Sequence, residues 1–241
     1  MRIICFYLLL FFTLPLLAQT DETDKAVVQS DSLLTPDPLY REDQFYASVS
    51  YNLIRGKADQ YSQNSFSTGL TVGFLRDIPL NEARNRAVAI GLGYSYTNIK
   101  HNLKVSEVTE REVTSRVYEV VGDSDFSKNK LVLHYLELPI ELRWRNSTMT
   151  SHKFWRIYTG FKVSYLLNDR SQFESNEGTI RIQHNPDVNK WISTAYVSAG
   201  WNTWNFYAAY SFTPIYKNAY TKQGEELKLS SFNIGLMFYI L

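Results

Sequence analysis

Along most of this chain apolar side chains alternate with small or polar ones. The C-terminal stretch shows the period plainly. Phe232, Ile234, Leu236, Phe238 and Ile240 share one face, and Ser231, Asn233, Gly235, Met237 and Tyr239 the other. A period of two over about ten residues predicts a strand with one apolar face. Repeated through an aromatic-rich chain, it predicts an all-β fold, an antiparallel up-and-down transmembrane β-barrel.

Eight strands can be placed. In the first, residues 44–54, Phe45, Ala47, Val49, Tyr51 and Leu53 oppose Tyr46, Ser48, Ser50 and Asn52. The second, 66–75, has a small inner face of Ser67, Gly69, Thr71 and Gly73. The third, 87–99, points Val88, Ile90, Leu92, Tyr94 and Tyr96 outward and Ala89, Gly91, Gly93 and Ser95 inward. Such small inner faces leave room for bulky residues from other strands. The remaining strands fall at 131–145, 154–167, 191–202, 205–214 and 227–241.

Connections alternate in length. They are short at 79–86, 146–153 and 203–204, and longer at 56–65, 100–130, 168–190 and 215–226. Short periplasmic turns and long outer loops are the asymmetry of outer-membrane barrels. Recurrent valines in 100–130 predict a solvent-exposed β-extension of that hairpin, whereas 168–190 reads as a polar loop. An even strand number puts both barrel ends of the chain on the periplasmic side.

The start reads as a cleaved signal peptide, residues 1–18. Arg2 supplies the positive charge, 3–17 the apolar core and Ala18 the small residue before Gln19. Residues 19–42 are acidic, carry Pro36 and Pro38, and read as a flexible periplasmic lead-in. The barrel domain is then 43–241. The sole cysteine, Cys5, lies in the leader, so no disulfide or thiolate metal site is expected in the mature chain.

Composition narrows the function classes. Lys+Arg 25 against Asp+Glu 24 leaves a formal charge of +1, which gives nucleic-acid binding no electrostatic support. Past the leader, no apolar run is long enough for a spanning helix. The aromatic content of 15% suits interfacial girdles. Trp144, Trp155, Trp191, Trp201 and Trp204 fall near strand ends, and Tyr207, Tyr210, Tyr216, Tyr220 and Tyr239 are read with them.

The densest chemistry lies on one strand. Leu136, Leu138, Ile140, Leu142 and Trp144 share a face, while Glu137, Pro139, Glu141, Arg143 and Arg145 share the other. A cation facing lipid at the midplane costs about 2–4 kcal/mol, so the charges must face the lumen. Arg156 and Lys162 of the next strand point inward by the same alternation. Glu137, Glu141, Arg143, Arg156 and Lys162 therefore form an expected lumen charge cluster, read as a structural plug. A gated passage or a proton-handling site are its functional alternatives. His101, His134, His152 and His184 lack a nucleophile–acid setting, and no serine elbow, phosphate loop or metal motif is present. No enzyme activity, cofactor or metal is expected.

The run from Tyr135 through Leu136, Glu137, Leu138, Pro139, Ile140, Glu141 and Leu142 to Arg143 resembles the PorT-like outer-membrane β-barrel family. Gly160 to Leu166 and Tyr210 to Pro214 are similar to two further strands of that family. The resemblance covers most of the mature chain and implies an eight-stranded barrel in the outer membrane of a Gram-negative bacterium. One branch of the family serves type IX secretion and gliding. The expected role is thus a structural or accessory envelope component, with a small channel or solute-binding barrel as the alternative. The expected partners are outer-membrane lipid and envelope or secretion-system proteins, met through the long loops or the lead-in by a monomeric barrel.

Overall fold

The computed structural model describes residues 43–63, 65–146 and 154–240, without the side chains of Glu110 and Val113. The expected signal peptide and lead-in lie outside the described residues. Eleven strands occur among those described: β1 (Gln44–Arg55), β2 (Thr68–Pro79), β3 (Arg86–Lys100), β4 (Leu103–Glu110), β5 (Val113–Val120), β6 (Lys128–Arg145), β7 (Trp155–Ser175), β8 (Gly178–Gln183), β9 (Trp191–Trp201), β10 (Trp204–Ser211) and β11 (Ser230–Ile240).

Eight of them form a closed antiparallel barrel. The order runs β6-β3-β2-β1-β11-β10-β9-β7, and the β6–β7 pairing joins the two ends. Closure satisfies every strand edge, which a membrane interior demands because it holds no water to pair with open edges. All eight expected strands are present. Their ends differ from expectation. β2 runs four residues past Leu75, to Pro79. The expected polar loop 168–190 is largely strand, since β7 continues to Ser175 and β8 folds back on it. The 100–130 segment carries a separate two-stranded hairpin, β4–β5, rather than an extension of β3 and β6, and a bridge from Tyr118 to Thr221 ties it to the last loop.

Two irregularities shape the β6 neighbourhood. The β3–β6 ladder has no pairs at Gly91 or Leu92, beside Pro139. Proline has no N–H to donate, so a gap in the ladder is its expected consequence. On the other side, the β6–β7 register shifts between His134 and Tyr135, and Leu167 is left without a partner. This bulge reverses which face the following β7 residues take.

The outer wall is apolar. Leu138, Ile140, Leu142, Ile157, Val197, Phe206 and Ile234 are exposed across its middle. At the short-turn end Trp144, Trp155, Trp201 and Trp204 ring this band, and Tyr165, Trp191, Tyr210 and Phe212 ring the other. From Trp155 to Tyr165, a tilted strand spans roughly 25 Å along the barrel axis, the height of the apolar band in such barrels. The tryptophans thus sit where a girdle was expected. Tyr207, Tyr216 and Tyr239 do not, because they are buried in the interior. Glycines on the inner faces make room for other interior tyrosines, Tyr46 and Tyr196. A Cβ on Gly160, for example, would lie 2.5 Å from the Tyr196 ring, and one on Gly93 would lie 2.1 Å from the Tyr46 hydroxyl.

Inside, apolar side chains form two clusters. One is a tyrosine-rich packing of Tyr46, Leu75, Tyr158, Tyr196, Tyr207 and Tyr239 within the barrel. The other sits at the long-loop end, where Leu103, Val105 and Tyr118 of the hairpin meet Leu131, Leu133, Ile192, Tyr216 and Leu227. The loops are folded over the barrel mouth as a packed cap.

Candidate functional site: the charged lumen

Alternation along β6 turns Glu137, Glu141, Arg143 and Arg145 inward, and all four are buried. Arg156 and Lys162 enter from β7 and are buried too. Each residue of the expected cluster is therefore in the lumen. Their pairing is more specific than the strand pattern indicated.

At the short-turn end Asp77 of β2 accepts from two arginines. Its Oδ1 lies 2.8 Å from Arg145 Nη1 and 2.9 Å from Arg143 Nη1, and its Oδ2 lies 2.9 Å from Arg145 Nη2. Arg145 Nε also donates to the Arg84 carbonyl at 3.0 Å, anchoring the network in the 80–85 turn. A carboxylate held by two guanidinium forks is among the strongest charge-assisted arrangements available. Arg143 Nε donates to Glu141 Oε2 at 2.9 Å. The other Glu141 oxygen accepts from the Tyr196 hydroxyl at 2.9 Å and the Tyr239 hydroxyl at 3.1 Å. Tyr239 in turn shares a hydrogen bond with Ser198 at 2.9 Å. The chain of contacts crosses the lumen from β2 through β6 to β9 and β11.

Further along β6, Lys162 Nζ donates to both oxygens of Glu137, at 3.0 and 2.9 Å. The pair is diagonal, for Glu137 faces Ser164 and Lys162 faces Pro139 in the register. Arg156 makes no ion pair among the described residues. Its guanidinium instead lies 4.6 Å from the Phe154 ring centroid and 5.5 Å from that of Tyr239, where the ring faces attract a cation.

Asp77 is the functional residue that sequence reasoning missed. Ending the second strand at residue 75 left it unassigned, between that strand and the 79–86 turn. Carrying the alternation through Gly73 and Leu75 would have reached it.

Above the Glu137–Lys162 pair lies a cavity of about 40 Å³, lined by Ser95, Thr97, Ser164, Thr194, Ser211 and Asn233 among others. Its hydroxyl-rich wall and size suit a few ordered waters rather than a solute. The apolar cap closes it from above. In that cap Tyr118 donates to Asp187 at 2.8 Å, and burial pushes its hydroxyl pKa up. His101 stacks on Tyr61 with centroids 5.7 Å apart, and its Nδ1 accepts from the Leu103 amide at 3.0 Å. Burial lowers its pKa to about 4. Among the described residues no group of acidic, histidine or cysteine side chains is placed to hold a metal ion.

A family model described as outer membrane protein beta-barrel domain matches residues 17–218. The chain belongs to that family. Its outer-membrane location follows from this membership together with the apolar, girdled wall. The match is to the domain family as a whole and assigns no branch within it. Among solved structures the fold resembles Ail, the attachment invasion locus protein of Yersinia pestis. That likeness has 10% identity, covers 83% of this chain and 99% of that one, and has a TM-score of 0.40. A structure of Ail in complex with the heparin analogue sucrose octasulfate has 10% identity, coverage of 82% and 97%, and a TM-score of 0.38. Values this low carry no functional argument. No curated protein matches the chain.

Proposed function

We propose that this family member is a sealed outer-membrane barrel that serves as a structural or accessory component of the envelope. It acts through the cell-surface side of its cap rather than through its lumen. The observation that carries this reading is the double closure of the interior. The Asp77–Arg143–Arg145–Glu141 network fills one end and an apolar cluster fills the other. An eight-stranded barrel has an interior just wide enough for side chains, and this one leaves only the small hydroxyl-lined cavity unfilled.

The same geometry weighs against the channel and solute-binding alternatives, because the cavity of about 40 Å³ is too small for a solute. It also separates the secretion question from the motif that raised it. Residues 135–143 build the lipid-facing wall and the lumen network, roles that any such barrel needs. A partner would instead meet the exposed tip of the β4–β5 hairpin, where Thr109, Arg111, Thr114 and Ser115 stand clear of the core. Loops on rigid scaffolds commonly carry binding.

The test is to exchange that tip for a neutral turn, and separately to make Glu141→Gln in the lumen. The tip exchange should leave a folded, heat-modifiable barrel and abolish co-purifying envelope protein, any secretion component included. Loss of the partner with Glu141→Gln, and not with the tip exchange, would place the activity inside the barrel and refute the proposal.

A further inference from the structure

The bulge at Leu167 has a chemical consequence outside the barrel. Below it, Lys162 and Ser164 of β7 face the lumen; beyond it the phase reverses, and Asp169, Ser171 and Phe173 are the inward, buried residues. Arg170 is thereby turned to the outer wall, opposite Val132 and beside Asn98. One step further out, Lys100 of β3 faces Lys130 of β6 directly, with Lys128 next along β6. These four cations share the face that carries Tyr94, Leu136 and Tyr165 in the apolar wall. They begin beyond the Tyr94–Tyr165 ring, within roughly 10–15 Å of it along the axis.

The patch is electrostatically one-sided. Among the described residues the carboxylate beside it is Glu174, which sits 3.5 Å from Lys128 Nζ and also accepts from Gln172. Lys100, Lys130 and Arg170 make no ion pair among the described residues, and the buried Arg170 Nε has no hydrogen-bond partner there. Like charges directly across a strand pair are destabilising. Burial, then repulsion from Lys128 and Arg170, draws the Lys130 pKa below its usual value. A recess of about 440 Å³ opens beside the patch and is lined by Lys100, Lys128 and Asn129. Three cations without an ion pair among the described residues, and a fourth shared with Glu174, are thus gathered at one height on the outer wall.

From this placement we infer that Lys100, Lys128, Lys130 and Arg170 form a binding site for the phosphate groups of an outer-leaflet glycolipid. The acyl chains of that lipid lie on the apolar wall directly below. Charge complementarity selects an anion, and continuity with the band selects one anchored in the membrane. Long lysine and arginine side chains bridge the remaining distance between strand and headgroup.

The experiment uses the full mature protein in lipid-free detergent, titrated with diphosphoryl lipid A and with the same lipid stripped of phosphate. Bound lipid is read by native mass spectrometry, and stabilisation by the thermal midpoint of the heat-modifiable form. The wild type should bind the phosphorylated lipid at least about tenfold more tightly, and the triple variant K100Q/K130Q/R170Q should lose that preference. Without lipid the variant should be as stable as wild type or more so, since it relieves repulsion. A merely structural role would give the opposite sign. Equal binding of both lipids would reduce the site to acyl contact and overturn the inference. So would millimolar inorganic phosphate displacing the lipid, or a variant that keeps its preference.

Discussion

At the scale of single residues, the lumen depends on whether each buried charge keeps its counterpart. Asp77 is fully enclosed and holds both Arg143 and Arg145. Removing one partner of a buried pair leaves uncompensated charge, at a cost of about 3–5 kcal/mol. Asp77→Asn should lower the unfolding free energy in urea by that amount. Glu137 and Lys162 allow the converse test. Glu137→Gln alone should destabilise, whereas Glu137→Met with Lys162→Met should return to within about 1 kcal/mol of wild type. If the double variant were as unstable as the single one, the pair would be stabilising beyond its own desolvation. The lumen cluster was largely legible because lipid forbids charge on one face, so alternation alone assigns Glu137, Glu141, Arg143, Arg156 and Lys162. The partner of each was not legible. Pairing depends on barrel curvature, which brings β2 across to β6 and lets Lys162 reach Glu137 diagonally.

At the scale of elements, strand existence could be read and strand ends could not. Within the membrane the lipid imposes an apolar residue at every second position. Outside it, only packing against the cap constrains the chain. Asn168, Asp169 and Arg170 therefore looked like loop although they continue β7, and the bulge at Leu167 had already broken the phase. The hairpin was read as solvent-exposed for the same reason, because few of its residues, notably Leu103, Val105 and Tyr118, bury in the cap. One consequence is pH dependence of the cap. His101 is neutral in the fold, with its pKa lowered to about 4 by burial, against about 6.5 in the unfolded chain. The unfolded state thus binds a proton first. The contribution of His101 is whole above pH 6.5, declines as pH falls to 4, and the loss amounts to about 3 kcal/mol. Protonating Nδ1 also removes the acceptor for the Leu103 amide. Protease nicking of residues 101–127 should rise across that window, and His101→Asn should flatten the rise by keeping an acceptor that does not titrate.

At the scale of the molecule, the decisive property is that neither end of the lumen opens. The charged network spans β2, β6, β9 and β11, so widening the barrel there means breaking the β2–β6 ion pairs or the tyrosine hydrogen bonds from β9 and β11. The cap closes the other end by a different force, burial of apolar side chains from four outer segments. A passage would need both seals to fail together, and their costs add because they share no partners. Purified protein in planar bilayers should therefore show no stable conductance steps. Glu141→Gln, which loosens only the network, should show none either, because the cap still closes the mouth. Replacing Leu103–Val120 by a tight turn should also leave the bilayer silent while lowering thermal stability, since the network remains. Combining the two changes is the arrangement that should first admit ions. Reproducible large steps from the intact protein would contradict the sealed barrel and favour a channel.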